Sequence, residues 1–256
     1  VQNYQPTSSD PTISRKYAGI VLNDGGFVQV AYDAERFQKD IPAEAVQGIF
    51  ITHGHSDHIA GLKLFTSKTG CAVYGQKKTL RQLADLEKLS PNAPIIELTG
   101  KISVCGMEVS CFDTPHDTVQ SCGYRIHTSD DKYCAVCTDL GHITPEVDAA
   151  LTGCRMVLIE SNYDEGMLRA GNYPLYLKQR ILSKHGHLSN PDCAEQIGKL
   201  IERGTTHFVL GHLSQDNNRP HIADGNVQNS LPQYVRGKDY LLGVAPVETC
   251  GGAVIF

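Results

Sequence analysis

A dense group of potential metal ligands follows an apolar run in the first quarter of the chain. Four of the six residues in the stretch His53–His58 carry an imidazole or a carboxylate. The preceding segment Gly48–Thr52 is apolar and β-branched, which predicts a buried strand. A helix is predicted to begin near Asp57 and His58, so two ligand sets diverge from one loop. This spacing predicts two adjacent metal ions, against the alternative of a polar surface loop.

Three further candidate ligands stand where other apolar runs end. They are His116 after FDTP, Asp139 after AVCT and His212 after FVLG. Taken singly, a His at a strand end is commonly structural and such an Asp commonly caps a turn. Together with the first cluster they complete a set of seven. Imidazole suits zinc and carboxylate also suits manganese, so the sequence predicts two divalent ions, zinc or manganese, per chain.

The tetrapeptide GHLS occurs twice, at Gly186–Ser189 and at Gly211–Ser214. The second copy follows a predicted strand, so His212 belongs to the set of candidate metal ligands. The first copy precedes a predicted helix, Asp192–Arg203, whose N-terminus could seat a phosphate. We therefore predict that His187 serves the substrate as a proton donor, with a capping or packing role as the alternative. Ser189 and Asn190, the candidate N-caps of this helix, are predicted to bind substrate.

One segment is basic although the whole protein is acidic. The net charge is −5, but no Asp or Glu occurs from Gly166 to Asn190. A surface that follows a polyanion and a solvated helix face both fit this pattern. The predicted substrate-binding cations of the segment are Arg169, Lys178, Arg180 and Lys184.

Composition narrows the protein class. At 41% hydrophobic and 20% charged residues, the 256-residue chain is typical of a globular protein, and its length fits one large domain or two small ones. We predict one domain, residues 1–256, with 1–16 as a loose segment. The acidic balance disfavours non-specific coating of nucleic acid. No apolar run is long enough to cross a membrane. Nine cysteines without a regular framework indicate a reduced, cytoplasmic protein, and Cys134 and Cys137 are predicted to be buried thiols, not a metal or redox pair.

Alternating strand and helix patterns predict layered sheets flanked by helices. The predicted strands are Gly48–Thr52, Cys71–Tyr74, Met107–Phe112, Tyr133–Cys137, Met156–Ile159 and His207–Leu210. The predicted helices are His58–Ser67, Lys77–Leu89, Tyr173–Leu182 and Asp192–Arg203.

The order HxHxDH…His…Asp…His resembles the metallo-β-lactamase superfamily. The resemblance implies an α/β fold, the αββα four-layer sandwich, with a dinuclear metal site. It implies that one ion is held by His53, His55 and His116, the other by Asp57, His58 and His212, and that Asp139 bridges them. Asp57 is also predicted to be a catalytic residue, together with His187. Asp33 matches a residue that orients a ligand His, with capping of a short helix as the alternative.

Longer stretches are similar to a bacterial group labelled YycJ or WalJ. They are ESNYDEGML, YPLYLKQRI, GHLSN and GHLSQDNNRP. This resemblance implies a metal-dependent phosphodiesterase, specifically a 5′→3′ exonuclease on double-stranded DNA. Asn162 is then a candidate substrate-binding residue, although its position favours a turn residue after the strand MVLIE. The chain departs from the group at its N-terminal segment and at Tyr163, where a His is common.

Other functions fit part of the pattern. Thioester hydrolases of the glyoxalase II type share HxHxDH and the bridging Asp, and a small-molecule ester or thioester is the enzyme alternative. A non-catalytic, metal-binding regulatory module is a further alternative, which the complete ligand set disfavours. The predicted chemistry is attack by metal-activated hydroxide on phosphorus, with His187 protonating the departing 3′-oxygen.

Overall fold

The structure is a computed structural model that describes residues 17–20, 28–31 and 46–245. Contacts within the chain divide it into two compact units. The first comprises residues 1–109 and 246–256, and the second comprises Ser110–Ala245. Asp33 and the segment 1–16 lie outside the described residues. The assignment of residues 1–256 to one domain stays a prediction.

The first unit contains two small sheets. Strands β1 (Tyr17–Ile20) and β2 (Val28–Ala31) form an antiparallel pair. Strands β3 (Gly48–Ile51), β4 (Ala72–Gly75) and β5 (Ile95–Glu97) form a parallel sheet in that order. Three helices lie between these strands. They are α1 (Ser56–Ile59), α2 (Leu62–Thr69) and α3 (Lys77–Asp85).

Two helix predictions in this unit are wrong in extent. The predicted helix His58–Ser67 is two helices, because the chain turns at Ala60 and Gly61 before α2 begins. The predicted helix Lys77–Leu89 ends at Asp85, and Glu87 has a φ of 53°, which an α-helix cannot continue through. Propensity and periodicity locate such helices but do not fix their ends.

The larger sheet has seven strands in the order β12-β11-β10-β9-β8-β7-β6. Strands β9 to β12 are parallel to one another, whereas β8 is antiparallel to β9 and β6 is antiparallel to β7. The strands are β6 (Ile102–Val104), β7 (Met107–Asp113), β8 (Cys122–His127), β9 (Tyr133–Cys137), β10 (Met156–Glu160), β11 (His207–Gly211) and β12 (Leu241–Val244).

Five helices accompany the strands of the second unit. They are α4 (Pro145–Leu151), α5 (Glu165–Ala170), α6 (Leu175–Ile181), α7 (Asn190–Glu202) and α8 (Pro220–Ser230). Every residue of β10 and β11 is buried, as expected for central parallel strands covered on both faces. Helix α7 has the predicted N-cap, because the Ser189 hydroxyl accepts the N–H of Asp192 and Pro191 lies in the first turn.

The cysteines within the described residues are free thiols. Cys134 and Cys137 are buried in β9, and burial raises the pKa of Cys134 to about 12 and that of Cys137 well above its usual value. Buried, protonated thiols are poor nucleophiles and poor ligands, as predicted for this pair. Among the described helices, none has the length and apolarity that a membrane span requires.

Candidate active site

Three adjacent parallel strands of the second unit end at one edge of the sheet with a candidate functional residue. Asp139 follows β9, Glu160 ends β10 and His212 follows β11. Asp139 and His212 have φ angles of 59° and 55°, a left-handed conformation that costs roughly 1–2 kcal/mol in a residue with a Cβ. Such strain at two neighbouring strand ends is typical of positions that a binding or catalytic site holds in place.

Asp139 lies between two imidazoles. Its Oδ1 is 3.6 Å from Nε2 of His116 and 3.5 Å from Nε2 of His212. Two ligands about 2.1 Å from a tetrahedral zinc lie about 3.4 Å apart. Each imidazole nitrogen therefore lies at the distance from the Asp139 oxygen that separates two ligands of one divalent ion.

The opposite nitrogens of the two imidazoles are held by acceptors. Nδ1 of His116 donates to the Gly186 carbonyl at 2.9 Å, and Nδ1 of His212 donates to Oε1 of Glu160 at 2.6 Å. Because each Nδ1 carries the proton, each Nε2 presents a lone pair, as a metal ligand must. A Cβ at position 186 would overlap the Ile181 carbonyl. Only glycine therefore fits here and brings its own carbonyl to His116.

Glu160 organises the centre of this site. Its carboxylate is fully buried, and Oε2 accepts the backbone N–H groups of Leu140 and Leu188, each at 3.0 Å. Oε1 accepts Nδ1–H from His187 at 2.8 Å and from His212. Burial alone would raise the pKa of Glu160, but the two histidines outweigh it and lower the pKa to about 2. The buried side chain is therefore a fully hydrogen-bonded carboxylate.

His187 lies between the imidazoles of His116 and His212. Its ring centroid is 5.0 Å from that of His116 and 5.2 Å from that of His212. Burial lowers the pKa of His187, but Glu160 more than compensates and the net pKa is raised. His116 has the opposite balance, because burial dominates and lowers its pKa. The site thus favours a neutral His116, fit to bind metal, and a His187 that retains a proton.

Sequence reasoning missed Glu160. The predicted strand Met156–Ile159 stops one residue before it. The signal was present, since a carboxylate that ends the apolar run MVLI is comparable to Asp139 after AVC. A Glu at the end of a buried strand must find several partners, and the histidines of both GHLS copies supply them.

The first unit brings its four candidate ligands together in the loop after β3. His53 Nε2 is 3.0 Å from Nδ1 of His55, and the His53 and His58 ring centroids are 4.2 Å apart. Asp57 Oδ2 is 3.6 Å from His58 Nε2. His53 and His58 are buried. The nitrogens of His53 and His55 are close enough to share one ion.

The predicted substrate-binding residues near helix α7 have internal partners. Ser189 donates to Asp192 at 2.7 Å in addition to capping the helix. Asn190 is fully buried and hydrogen-bonded to Ser161 and Asn218. Asn162 donates to the His212 carbonyl at 2.8 Å. These contacts fix the backbone of both GHLS turns.

Part of the basic segment is neutralised. Arg180 pairs with Asp117, and Arg169 lies 3.4 Å from Glu165. Lys178 donates to the Arg169 carbonyl at 2.7 Å. Lys184 is exposed, and its carbonyl accepts from the His142 ring at 3.0 Å. The segment therefore presents less free charge than its sequence suggests.

Comparison with known proteins identifies the family of the chain. Residues 21–212 match the model of the beta-lactamase superfamily domain. The chain is 35% identical over 240 residues to an exodeoxyribonuclease YycJ of Bacillus anthracis, covering 90% of this chain and 89% of that protein. It is 36% identical over 194 residues to an exodeoxyribonuclease WalJ of Streptococcus pneumoniae, covering 74% and 72%.

A solved structure supports the fold. The metallo-beta-lactamase fold protein YhfI of Bacillus subtilis superposes with a TM-score of 0.61 at 14% identity, over 93% of this chain and 89% of that one. The predicted fold class is thereby confirmed. The chain belongs to the beta-lactamase superfamily and is a hydrolase with the metallo-β-lactamase fold.

Proposed function

We propose that this protein is a metal-dependent phosphodiesterase that acts as a 5′→3′ exonuclease on double-stranded DNA. One observation carries the chemistry: a single oxygen of Glu160 holds both His187 and His212 by Nδ1. Both rings therefore turn Nε2 away from Glu160, one imidazole as a metal ligand and the other as a proton donor. The histidines of the two GHLS copies thus share Glu160 as their hydrogen-bond acceptor but have different proposed roles.

The donor sets support two divalent ions, zinc or manganese. We propose that His53, His55 and His116 hold one ion, that Asp57, His58 and His212 hold the other, and that Asp139 serves both. The 3.5–3.6 Å spacing around Asp139 and the outward Nε2 atoms support this assignment in the second unit. When bound, the ions supply a water of lowered pKa and stabilise the charge that develops on the phosphoryl oxygens.

His187 is the proton donor in this proposal. Glu160 fixes the proton of Nδ1 and orients the ring, and Nε2–H can then protonate the departing 3′-oxygen. The side chain is 19% exposed, enough for a substrate to reach it. Glu160 itself is fully buried and acts only through the two rings.

The DNA substrate rests on the relatives. Two proteins named exodeoxyribonuclease match most of this chain at 35–36% identity. Lys178 and Lys184 remain the candidates for contact with the phosphate backbone, with Arg169 and Arg180 available if their acidic partners are displaced. Asn162, Ser189 and Asn190 support the site by shaping the turns that carry His187 and His212.

A substrate comparison tests the function. Enzyme loaded with Mn²⁺ or Zn²⁺ is given linear duplex DNA, a closed circular duplex and a glutathione thioester. We expect nucleotides to be released from the linear duplex alone, since an exonuclease requires an end. Hydrolysis of the thioester without attack on DNA would show that the protein is a small-molecule hydrolase instead. Cutting of the circle would contradict the exonuclease assignment.

A further inference from the structure

Helix α6 carries two large apolar side chains in solvent. Leu175 is 70% exposed and Tyr176 is 72% exposed. The apolar face of the same helix is already satisfied, because Ile181 and Leu177 pack in a cluster with Leu168. The exposed tyrosine therefore does not serve the core, and among the described phenylalanines and tyrosines its side chain stands most exposed to solvent.

The exposed face of α6 borders the active site. Tyr176 and Arg180 are four residues apart and lie on one side of the helix. Arg180 binds both carboxylate oxygens of Asp117, and Asp117 Oδ1 is 3.5 Å from Nε2 of His116. The Tyr176 ring is thus one helical turn from Arg180, whose partner Asp117 contacts the predicted metal ligand His116.

A second contact ties the helix to the proton donor. The Ile181 carbonyl at the end of α6 accepts the backbone N–H of His187 at 3.1 Å. The start of the helix is also held, since the Tyr173 hydroxyl donates to Asp216 at 2.6 Å. Tyr176 therefore stands on a short helix that is anchored at both ends beside His187.

We propose that Tyr176, with Leu175 beside it, stacks on an unpaired nucleobase at the end of the DNA strand being degraded. This inference rests on the proposed exonuclease function. The surrounding segment Gly166–Asn190 contains no carboxylate side chain, and Lys178 lies on the same helix, so a phosphodiester strand is the complementary partner. Stacking accepts every base because each base has a π-face, as an enzyme that removes successive nucleotides requires.

The test compares Tyr176→Ala with Tyr176→Phe on duplexes that have a short single-stranded end. Loss of one base–aromatic stack should raise KM roughly 5- to 100-fold for Tyr176→Ala. Tyr176→Phe keeps the ring and should stay within about twofold of wild type. Val235→Ala, which removes an exposed apolar side chain elsewhere in the unit, is the matched control and should leave KM unchanged.

An abasic substrate shows whether the partner is a base. Removing the base from the terminal nucleotide should raise the KM of wild type by a similar factor. It should leave the KM of Tyr176→Ala almost unchanged, since that variant has already lost the stack. Methyl p-nitrophenyl phosphate has no base, so all variants should hydrolyse it at the wild-type rate.

The outcomes separate the two claims. If wild type degrades DNA and Tyr176→Ala equals it on every substrate, the stacking proposal is overturned and the exonuclease function stands. The same holds if Tyr176→Ala and the abasic end weaken the enzyme independently. If metal-loaded wild type neither binds nor degrades DNA, the proposed function fails and the stacking proposal fails with it.

Discussion

Replacing Glu160 with glutamine changes one heavy atom and should disable both of its histidine partners, His187 and His212. The carboxylate accepts four hydrogen bonds, two from backbone N–H groups and two from imidazole Nδ1–H groups. A glutamine side chain has one acceptor oxygen and one NH₂ donor in the same space. It cannot accept from all four donors, so one pair of partners must face the NH₂ group.

Either orientation of the amide is costly. If its oxygen accepts from Leu140 and Leu188, the NH₂ group meets two Nδ1–H groups. Each ring must then give up its Nδ1 proton, and in His212 that proton moves to Nε2. His212 then loses the lone pair that binds metal. If the oxygen faces the rings instead, two buried backbone N–H groups lose their acceptor, at about 1–3 kcal/mol each.

We therefore expect Glu160→Gln to bind metal roughly 10- to 100-fold more weakly, the usual effect of losing a partner of a ligand His. We expect kcat at saturating metal to fall about 10²–10⁴-fold, because His187 also loses the acceptor that orients it. Metal content by mass spectrometry and steady-state hydrolysis of DNA measure the two effects separately. Glu195→Gln makes the same change at an exposed helical position and is the control. Full metal content and full activity in Glu160→Gln would refute the role of Glu160.

Two further predictions concern the paired histidines and a surface network. His187→Ala should retain its metal and lose about 10²–10⁴-fold in rate, whereas His212→Ala should lose about one ion per chain; metal loss in His187→Ala alone would reverse the two assignments. Asp148 accepts from Gln196 at 2.8 Å and pairs with Arg203, and these contacts hold the pKa of its carboxyl below the usual value. The pKa of Asp148 in the folded protein lies below its unfolded value of ~3.9. Asp148 therefore stabilises the fold above that pH, and the stabilisation is lost as the pH falls through the folded pKa. Asp148→Asn should lower the free energy of unfolding at neutral pH by about 0.5–1 kcal/mol, a small value because the side chain is 31% exposed. A difference in unfolding free energy between the variant and wild type that stays constant as the pH falls would contradict this.

The sequence predicted most of what short-range patterns can encode. Apolar runs located β3, β9, β10 and β11, and the helix rules placed Ser189 as the N-cap of α7. The residues that follow those strands were recognised because imidazole and carboxylate at a strand end are chemically conspicuous. Such signals lie within a few neighbouring residues and need no knowledge of tertiary contacts.

The features of the site that the sequence did not predict depend on contacts between distant segments. Glu160 is 27 residues from His187 and 52 from His212, and no local pattern reports that one oxygen accepts from both. The free charge of the basic segment was overestimated because the Arg180 partner, Asp117, is 63 residues away. Asn190 was proposed for substrate, yet its buried bonds to Ser161 and Asn218 follow only from the packing of α7.

Strand β8 and helices α4 and α8 were not among the predicted elements. In β8 the sequence CGYRIH mixes glycine and charge with apolar residues, and its burial comes from neighbouring strands of the sheet. Helix α4 is seven residues long, too short for periodicity to identify it. In α8 the sequence PHIADGNVQNS has weak helix formers, so tertiary packing and not propensity sustains it.

The most direct test of the account is nucleotide release from a linear duplex labelled at its 5′ ends, with wild type and Asp139→Ala assayed side by side in Mn²⁺. Asp139 is proposed to serve both ions, so its loss should abolish turnover without unfolding the protein. The account predicts immediate release of labelled mononucleotide by wild type and none by the variant. Equal release by both proteins, or no release by wild type shown to hold two ions, would contradict it.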